Sequence, residues 1–334
     1  MRYSLNTYRR RGALSDWPSM SLTFVACLSC WVTGYIYSVG FPIDEGNVVL
    51  PLWSALCNAL SNRVVVYIFG LLLFLLVAYV MQRISDIEMF IHERTRLPFM
   101  IFILLISTNV GLIPAGATTI ALLCFVSIIY QLFNSYQQPE STGAIFNAGV
   151  MAGVACLFIP QALWFVPLLW IGMYKFRSIN LRSLLASLVG FLIIYWFVLA
   201  WCIWKHDFSM FTSLFSTLLD FSVLYVDVHY YHIGSVGVVL LLIMAFFHVK
   251  MDSFNNSVRV RQMFSFLLNM SVWSLFLILL YGRHSDFFLA IMYLSSSVLI
   301  AYFFENINYR IRFLLYYSML ALWVVSFIMR VWNI

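Results

Sequence analysis

Long apolar runs alternate with short polar loops along the whole chain. A helix needs about 20 apolar residues to cross the hydrocarbon layer of a bilayer. Eleven runs approach or reach that length: Met20–Ser38, Val64–Met81, Leu97–Val110, Ala115–Leu132, Gly143–Ile159, Gln161–Tyr174, Ser183–Trp204, Ile233–Val249, Met263–Tyr281, Phe287–Phe304 and Phe313–Met329. The pattern predicts an all-α fold, a polytopic transmembrane bundle of about eleven helices forming a single membrane domain over residues 1–334. Leu97–Val110 and Gln161–Tyr174 hold only 14 residues each, so they are expected to extend into their loops or to form half-helices. Pro160 and Pro167 are expected to break or kink the fifth and sixth helices, because proline lacks an N–H and its ring clashes with the preceding turn.

The polar stretches are short except for 39–63 and 205–232, and each of these contains a segment with two faces. In Leu52–Asn62, Leu52, Trp53, Leu56 and Leu60 fall together, opposite Ser54, Asn58, Ser61 and Asn62. In Phe208–Asp220, Phe208, Phe211, Phe215, Leu218 and Leu219 oppose Ser209, Ser213, Ser216, Thr217 and Asp220. Both segments are expected to be interfacial helices lying flat on the outer face of the membrane.

Charge sets the orientation. Only 10% of the 334 residues are charged and 63% are hydrophobic, far from the roughly 25% and 45–50% of soluble domains. With the tail 1–18 in the cytoplasm, only Arg63, Lys205, Arg283 and Arg330 of the 19 lysines and arginines lie outside. That is the bias of the positive-inside rule. The formal charge of +6 therefore reads as topology. No basic block is long enough for a nucleic-acid arm, so nucleic acid is excluded as a partner.

The outward carboxylates are the first candidates for chemistry. Asp44 and Glu45 follow the first helix in GFPIDEGN. A carboxylate pair there suits a general base or a divalent cation ligand, although the same residues also make an ordinary solvated turn. Arg63, Lys205 and Arg283 are the outer cations placed to partner these carboxylates or a lipid phosphate. Asp227, His229 and His232 in DVHYYH are close enough to consider for a transition metal, but their spacing matches no standard motif, and no metal site is assigned. Cys27 and Cys30 form a CxxC in mid-helix without a second pair, so all six cysteines are read as small hydrophobes. No cofactor signature is present beyond that divalent cation. Ionisable residues are nearly absent from the runs, with His248 and Asp286 at helix ends, which argues against an ion-coupled pump. Gly149 and Gly153 form a GxxxG, expected to mark a close helix–helix contact. Lys175, Arg177 and Arg182 in KFRSINLR are read as topology markers or as contacts for a lipid phosphate.

From Arg63 to Trp204 the chain resembles a family of multi-pass inner-membrane proteins of Gram-negative bacteria that has no assigned activity. The residues that carry the likeness are Phe146, Asn147 and Gly149, then Pro160 and Pro167, Arg177 and Arg182, and Gly190. The resemblance implies residence in the bacterial inner membrane. A looser likeness in topology is to the GT-C superfamily of polyprenyl-phosphate-dependent glycosyltransferases, with Asp44 and Glu45 after the first helix and Leu52–Asn62 in the position of an interfacial helix. That likeness implies a transferase using a lipid-linked sugar, with polyprenyl phosphate as partner and Asp44 as base or cation ligand. A soluble C-terminal domain like that of the superfamily is not expected from the 334 residues. A non-catalytic subunit of an envelope complex, with a membrane-protein partner, and a carrier of a lipid-like substrate are the alternatives from other classes.

Overall fold

A computed structural model describes residues 17–37, 62–90, 95–107, 109, 112–113, 116–138, 140–206, 218, 233–251, 256–281 and 285–331. Among them are eleven α-helices and no strand: α1 Trp17–Tyr37, α2 Arg63–Ile87, α3 Leu97–Ser107, α4 Ala117–Asn134, α5 Thr142–Phe158, α6 Val166–Lys175, α7 Leu181–Lys205, α8 Ile233–Met251, α9 Val258–Leu280, α10 Ser285–Asn306 and α11 Tyr309–Val331. Each coincides with one apolar run. Seven are long and apolar enough to cross a membrane (α1, α2, α4, α7, α9, α10 and α11), and the chain is a multi-pass membrane protein.

The short elements differ from expectation in instructive ways. Of the two outcomes expected for the third run, extension or a half-helix, α3 takes the shorter, 11 residues over Leu97–Ser107. The break before the sixth helix falls at Ile159, followed by a 3₁₀ helix, Pro160–Phe165. Pro167 does not kink α6 but sits in its first turn, where no amide hydrogen is needed. The 10 residues of α6 rise about 15 Å, and the six 3₁₀ residues add about 12 Å. Together they cover nearly the thickness of the hydrocarbon layer.

Local chemistry sets the other helix boundaries. The Asn62 side chain accepts from the Val64 amide at 3.1 Å and starts α2. Ser257 caps α9 through the Val260 amide. At the end of α7, His206 adopts the left-handed conformation, with φ 55°.

Successive helices alternate in direction, and contacts at their ends fix which ends meet. Gln137 N donates to Phe176 O, Lys175 Nζ to Ser265 Oγ and Arg259 to Glu88. Among side chains described, Arg83, Arg96, Lys175, Arg177, Arg182, Arg259, Arg261, Arg310 and Arg312 gather at this end, and Lys205 stands at the other. The interior of the basic end is aromatic: Phe133 packs edge-on to Phe90, Phe176 and Phe266.

Burial sorts the helices by depth. Within an 18-residue apolar stretch of each helix, 94% of the residues of α10 are buried, whereas 17% of those of α7 are. α10 is the axis of the bundle, packed against α3, α4, α8 and α9. α7 is peripheral and rests on α5. That contact is the close approach expected of the GxxxG: Gly149 and Gly153 face Ser187, Phe191 and Ile194. Gly190 meets Phe146 and Val150 from the other side. Cys27, Cys30, Cys124, Cys156 and Cys202 are buried and unbridged, and Cys27 Sγ lies 2.8 Å from Ser107 Oγ.

Candidate functional site

A cleft of about 520 Å³ opens at the basic end between α1, α2 and the start of α3. This is within the usual range of small-molecule pockets, roughly 300–1,000 Å³. Its lining combines Met20, Tyr79 and Phe99 with Gln82, Arg83, Asp86, Thr95 and Arg96. α2 supplies most of the polar wall because Tyr79, Gln82, Arg83 and Asp86 recur at intervals of three and four residues, on one helical face. Thr95 and Arg96 lie just before α3, and Met20 is in the first turn of α1.

Gln82 organises the cleft. Its amide donates to Thr95 O at 2.7 Å and to Asp86 Oδ1 at 2.9 Å, and its Oε1 accepts from the Phe99 amide at 3.4 Å. These bonds tie α2 to the start of α3. Arg83 is held along the rim: its Nε donates to Tyr79 Oη at 3.1 Å, and its guanidinium lies 5.7 Å from that ring's centroid. Arg96 Nη1 reaches Met20 Sδ at 3.2 Å, a weak acceptor for so strong a donor. Thr95 is 4% exposed, and its Oγ1 has no hydrogen-bond partner. A buried hydroxyl left so costs about 1–3 kcal/mol. Among the described residues the cleft carries two guanidinium groups and one carboxylate.

Beside it, Glu88 is held differently. Arg259 pairs with it at 2.8 Å and stands over the Tyr136 ring. Burial pushes the Glu88 carboxyl above its ordinary range, with the Arg259 guanidinium pulling against that rise. Glu88 is thus engaged by Arg259, and the charged residues that line the cleft are Asp86, Arg83 and Arg96.

Asp44, Glu45, Asp227, His229, His232 and Arg283 lie outside the described residues, as do both amphipathic segments apart from Asn62 and Leu218. Arg63 begins α2. Lys205 ends α7, exposed, with its ammonium 5.7 Å from the Trp201 ring centroid. With Trp201 and Trp204 exposed beside it, that is the arrangement of an interfacial anchor. Among the described residues no three His, Cys, Asp or Glu side chains group as a metal site. At the end opposite the cleft, Asn109 donates to Asp286 at 3.4 Å.

Sequence reasoning read Arg83 and Arg96 as topology markers and passed over Gln82, Asp86 and Thr95. The missed signal was the helical spacing of Tyr79, Gln82, Arg83 and Asp86 at the polar end of an apolar run.

A model of the DUF6427 family, a family of unknown function, matches residues 41–334. The chain belongs to this family. The match takes in α2 to α11, and so the α2 and α3 walls of the cleft, but not α1 with Met20. No curated protein and no solved structure matches the chain.

Proposed function

We propose that the protein binds an amphiphilic, lipid-like molecule in the bacterial inner membrane, with its N-terminus in the cytoplasm and the head of the ligand in the cleft at the basic end. The observation that carries this reading is the composition of the cleft: a polar wall at helix-end depth facing Met20, Phe99 and Tyr79, with Tyr79, Arg83 and Arg96 exposed at the rim. Basic recesses between membrane helices on the cytoplasmic side suit lipid headgroups. Such a ligand enters sideways from the leaflet and keeps its chains in the hydrocarbon. A lipid carrier, or a membrane subunit that holds a lipid, uses a site of this kind. The scarcity of ionisable side chains along the described helices fits a reaction cycle without ion coupling.

A photoactivatable phospholipid added to the purified full-length protein tests this. Cross-linked peptides are expected to concentrate on 79–99 and on the first turn of α1. Even labelling of the lipid-facing helices overturns the proposal.

A transferase using a lipid-linked sugar at the outer face is the second reading. It is favoured by the place of Asp44 and Glu45 in the segment that joins the ends of α1 and α2 remote from the basic end. Asp44 acts there as base or divalent-cation ligand, with Arg63, Lys205 and Arg283 available to a polyprenyl phosphate. One residue checks both parts of it. A reporter active only in the periplasm and fused after Asp44 must be on, and Asp44→Asn must fail to complement a deletion strain while inserting normally. Full complementation removes the enzyme reading and leaves a non-catalytic subunit or carrier.

A further inference from the structure

Resting on the lipid-binding reading above, we infer that the cleft selects a phosphodiester headgroup carrying a hydroxyl or ammonium donor, rather than a phosphate monoester or an uncharged lipid. Arg83 and Arg96 both line the cleft, and the partners they have there are a phenol oxygen and a thioether sulfur. Neither partner is an anion, so both guanidinium groups can turn to a phosphate without breaking an ion pair. Guanidinium groups match phosphate oxygens in geometry and are weakly hydrated, which makes them the usual choice for this task.

Thr95 is the second, independent observation. Thr95 lines the same cleft, is 4% exposed, and has a buried Oγ1 with no partner. A buried hydroxyl without a partner is satisfied by a ligand oxygen. Gln82 is not free to do this, because its amide nitrogen and oxygen are engaged by Thr95 O, Asp86 and the Phe99 amide. Gln82 is a positioning residue that fixes the backbone of Thr95 against α2.

Asp86 sets the class of headgroup. Its carboxylate stands in a cleft with two cations, and one oxygen already accepts from Gln82. A phosphodiester brings one negative charge to set against the two guanidinium groups. A monoester brings about −1.5 to −2 at neutral pH and meets repulsion from Asp86. A head bearing a hydroxyl or an ammonium gives the carboxylate a donor throughout the neutral range, whereas a bare monoester has one only while it is singly charged.

The test is binding to the purified full-length protein in detergent micelles doped with defined lipids. Phosphatidylethanolamine and phosphatidylglycerol are expected to bind. Diacylglycerol, and soluble glycerophosphoethanolamine without acyl chains, are expected to bind at least tenfold more weakly. Phosphatidic acid is expected to be the weaker anionic ligand. Arg83→Gln and Arg96→Gln are each expected to cost on the order of tenfold in affinity for the diesters. Thr95→Val, which removes the hydroxyl at constant shape, is expected to cost severalfold without lowering thermal stability. Asp86→Asn is expected to reverse the preference towards phosphatidic acid.

The outcomes separate the two readings. If no lipid binds, lipid binding itself falls and this inference falls with it. If diacylglycerol binds as well as the diesters, the lipid reading stands and phosphate recognition is overturned. If the soluble headgroup binds as tightly as the lipid, the ligand is a free phosphodiester rather than a lipid. An unchanged ratio of diester to monoester in Asp86→Asn overturns the assignment of headgroup class.

Discussion

Gly149→Ala and Gly190→Ala are expected to destabilise the protein by about 2 kcal/mol or more each, through the contact between α5 and α7. A Cβ at residue 149 would lie 2.2 Å from Ser187 O, and one at residue 190 would lie 2.3 Å from Phe146 O. Both obstacles are backbone atoms, so no rotamer change relieves them and the helices must separate. Separation is costly because lipid tails are as apolar as the side chains, and helix association in a bilayer depends on close van der Waals packing. α7 has little else to hold it, with 17% of its apolar 18-residue stretch buried. Gly143 provides the control: nothing lies within 4 Å of a Cβ there, so Gly143→Ala is expected to leave stability unchanged or to raise it slightly. Thermal unfolding of the three variants in one detergent decides the matter. Gly149→Ala as stable as wild type would mean that α5 and α7 do not meet at these glycines.

The close contact at Gly149 was legible in the sequence through its GxxxG with Gly153, and so was nearly every helix, whereas the part played by Gly190 was not. Hydrophobic length identifies a membrane helix almost by itself, since an unsatisfied backbone cannot lie in lipid. The places where the sequence misled are those where length and turn chemistry compete. The third apolar run continues to Val110, but its helix stops at Ser107. The sixth is completed by a 3₁₀ turn that periodicity does not resolve.

Depth in the bundle was not legible. α7 and α10 are comparably apolar, yet one is peripheral and the other is the axis. In water an apolar face points inward; in a bilayer lipid and protein interior are equally apolar, so periodicity loses its meaning. The cleft was hidden for a related reason. Its lining comes from the end of α2, the start of α3 and the first turn of α1, and each stretch reads alone as an ordinary membrane boundary. The hydrogen bonds of Gln82 join α2 to α3, and the contact of Arg96 with Met20 reaches α1.

The same reading placed Arg312 among cytoplasmic loop charges, and its burial leads to the second large effect. Arg312 is 2% exposed and donates to Glu305 at 3.1 Å, with the Glu305 side chain 11% exposed. The pair links α10 to α11 across the tight turn between them. Arg312→Met keeps much of the apolar length but takes from Glu305 a counter-charge in a nearly dry site. Breaking one side of a buried ion pair costs about 3–5 kcal/mol, because the remaining charge keeps its desolvation penalty. Arg312→Met is therefore expected to lower stability by about that amount. Replacing both partners, Arg312→Met with Glu305→Gln, removes the charge left behind and is expected to recover most of the loss. Thermal unfolding of both single variants and the double variant measures this coupling directly. A double variant no better than Arg312→Met would mean that the arginine acts by packing its stem rather than by pairing. An unaffected single variant would mean that the pair is solvated and contributes only what an exposed ion pair does, about 0–1 kcal/mol.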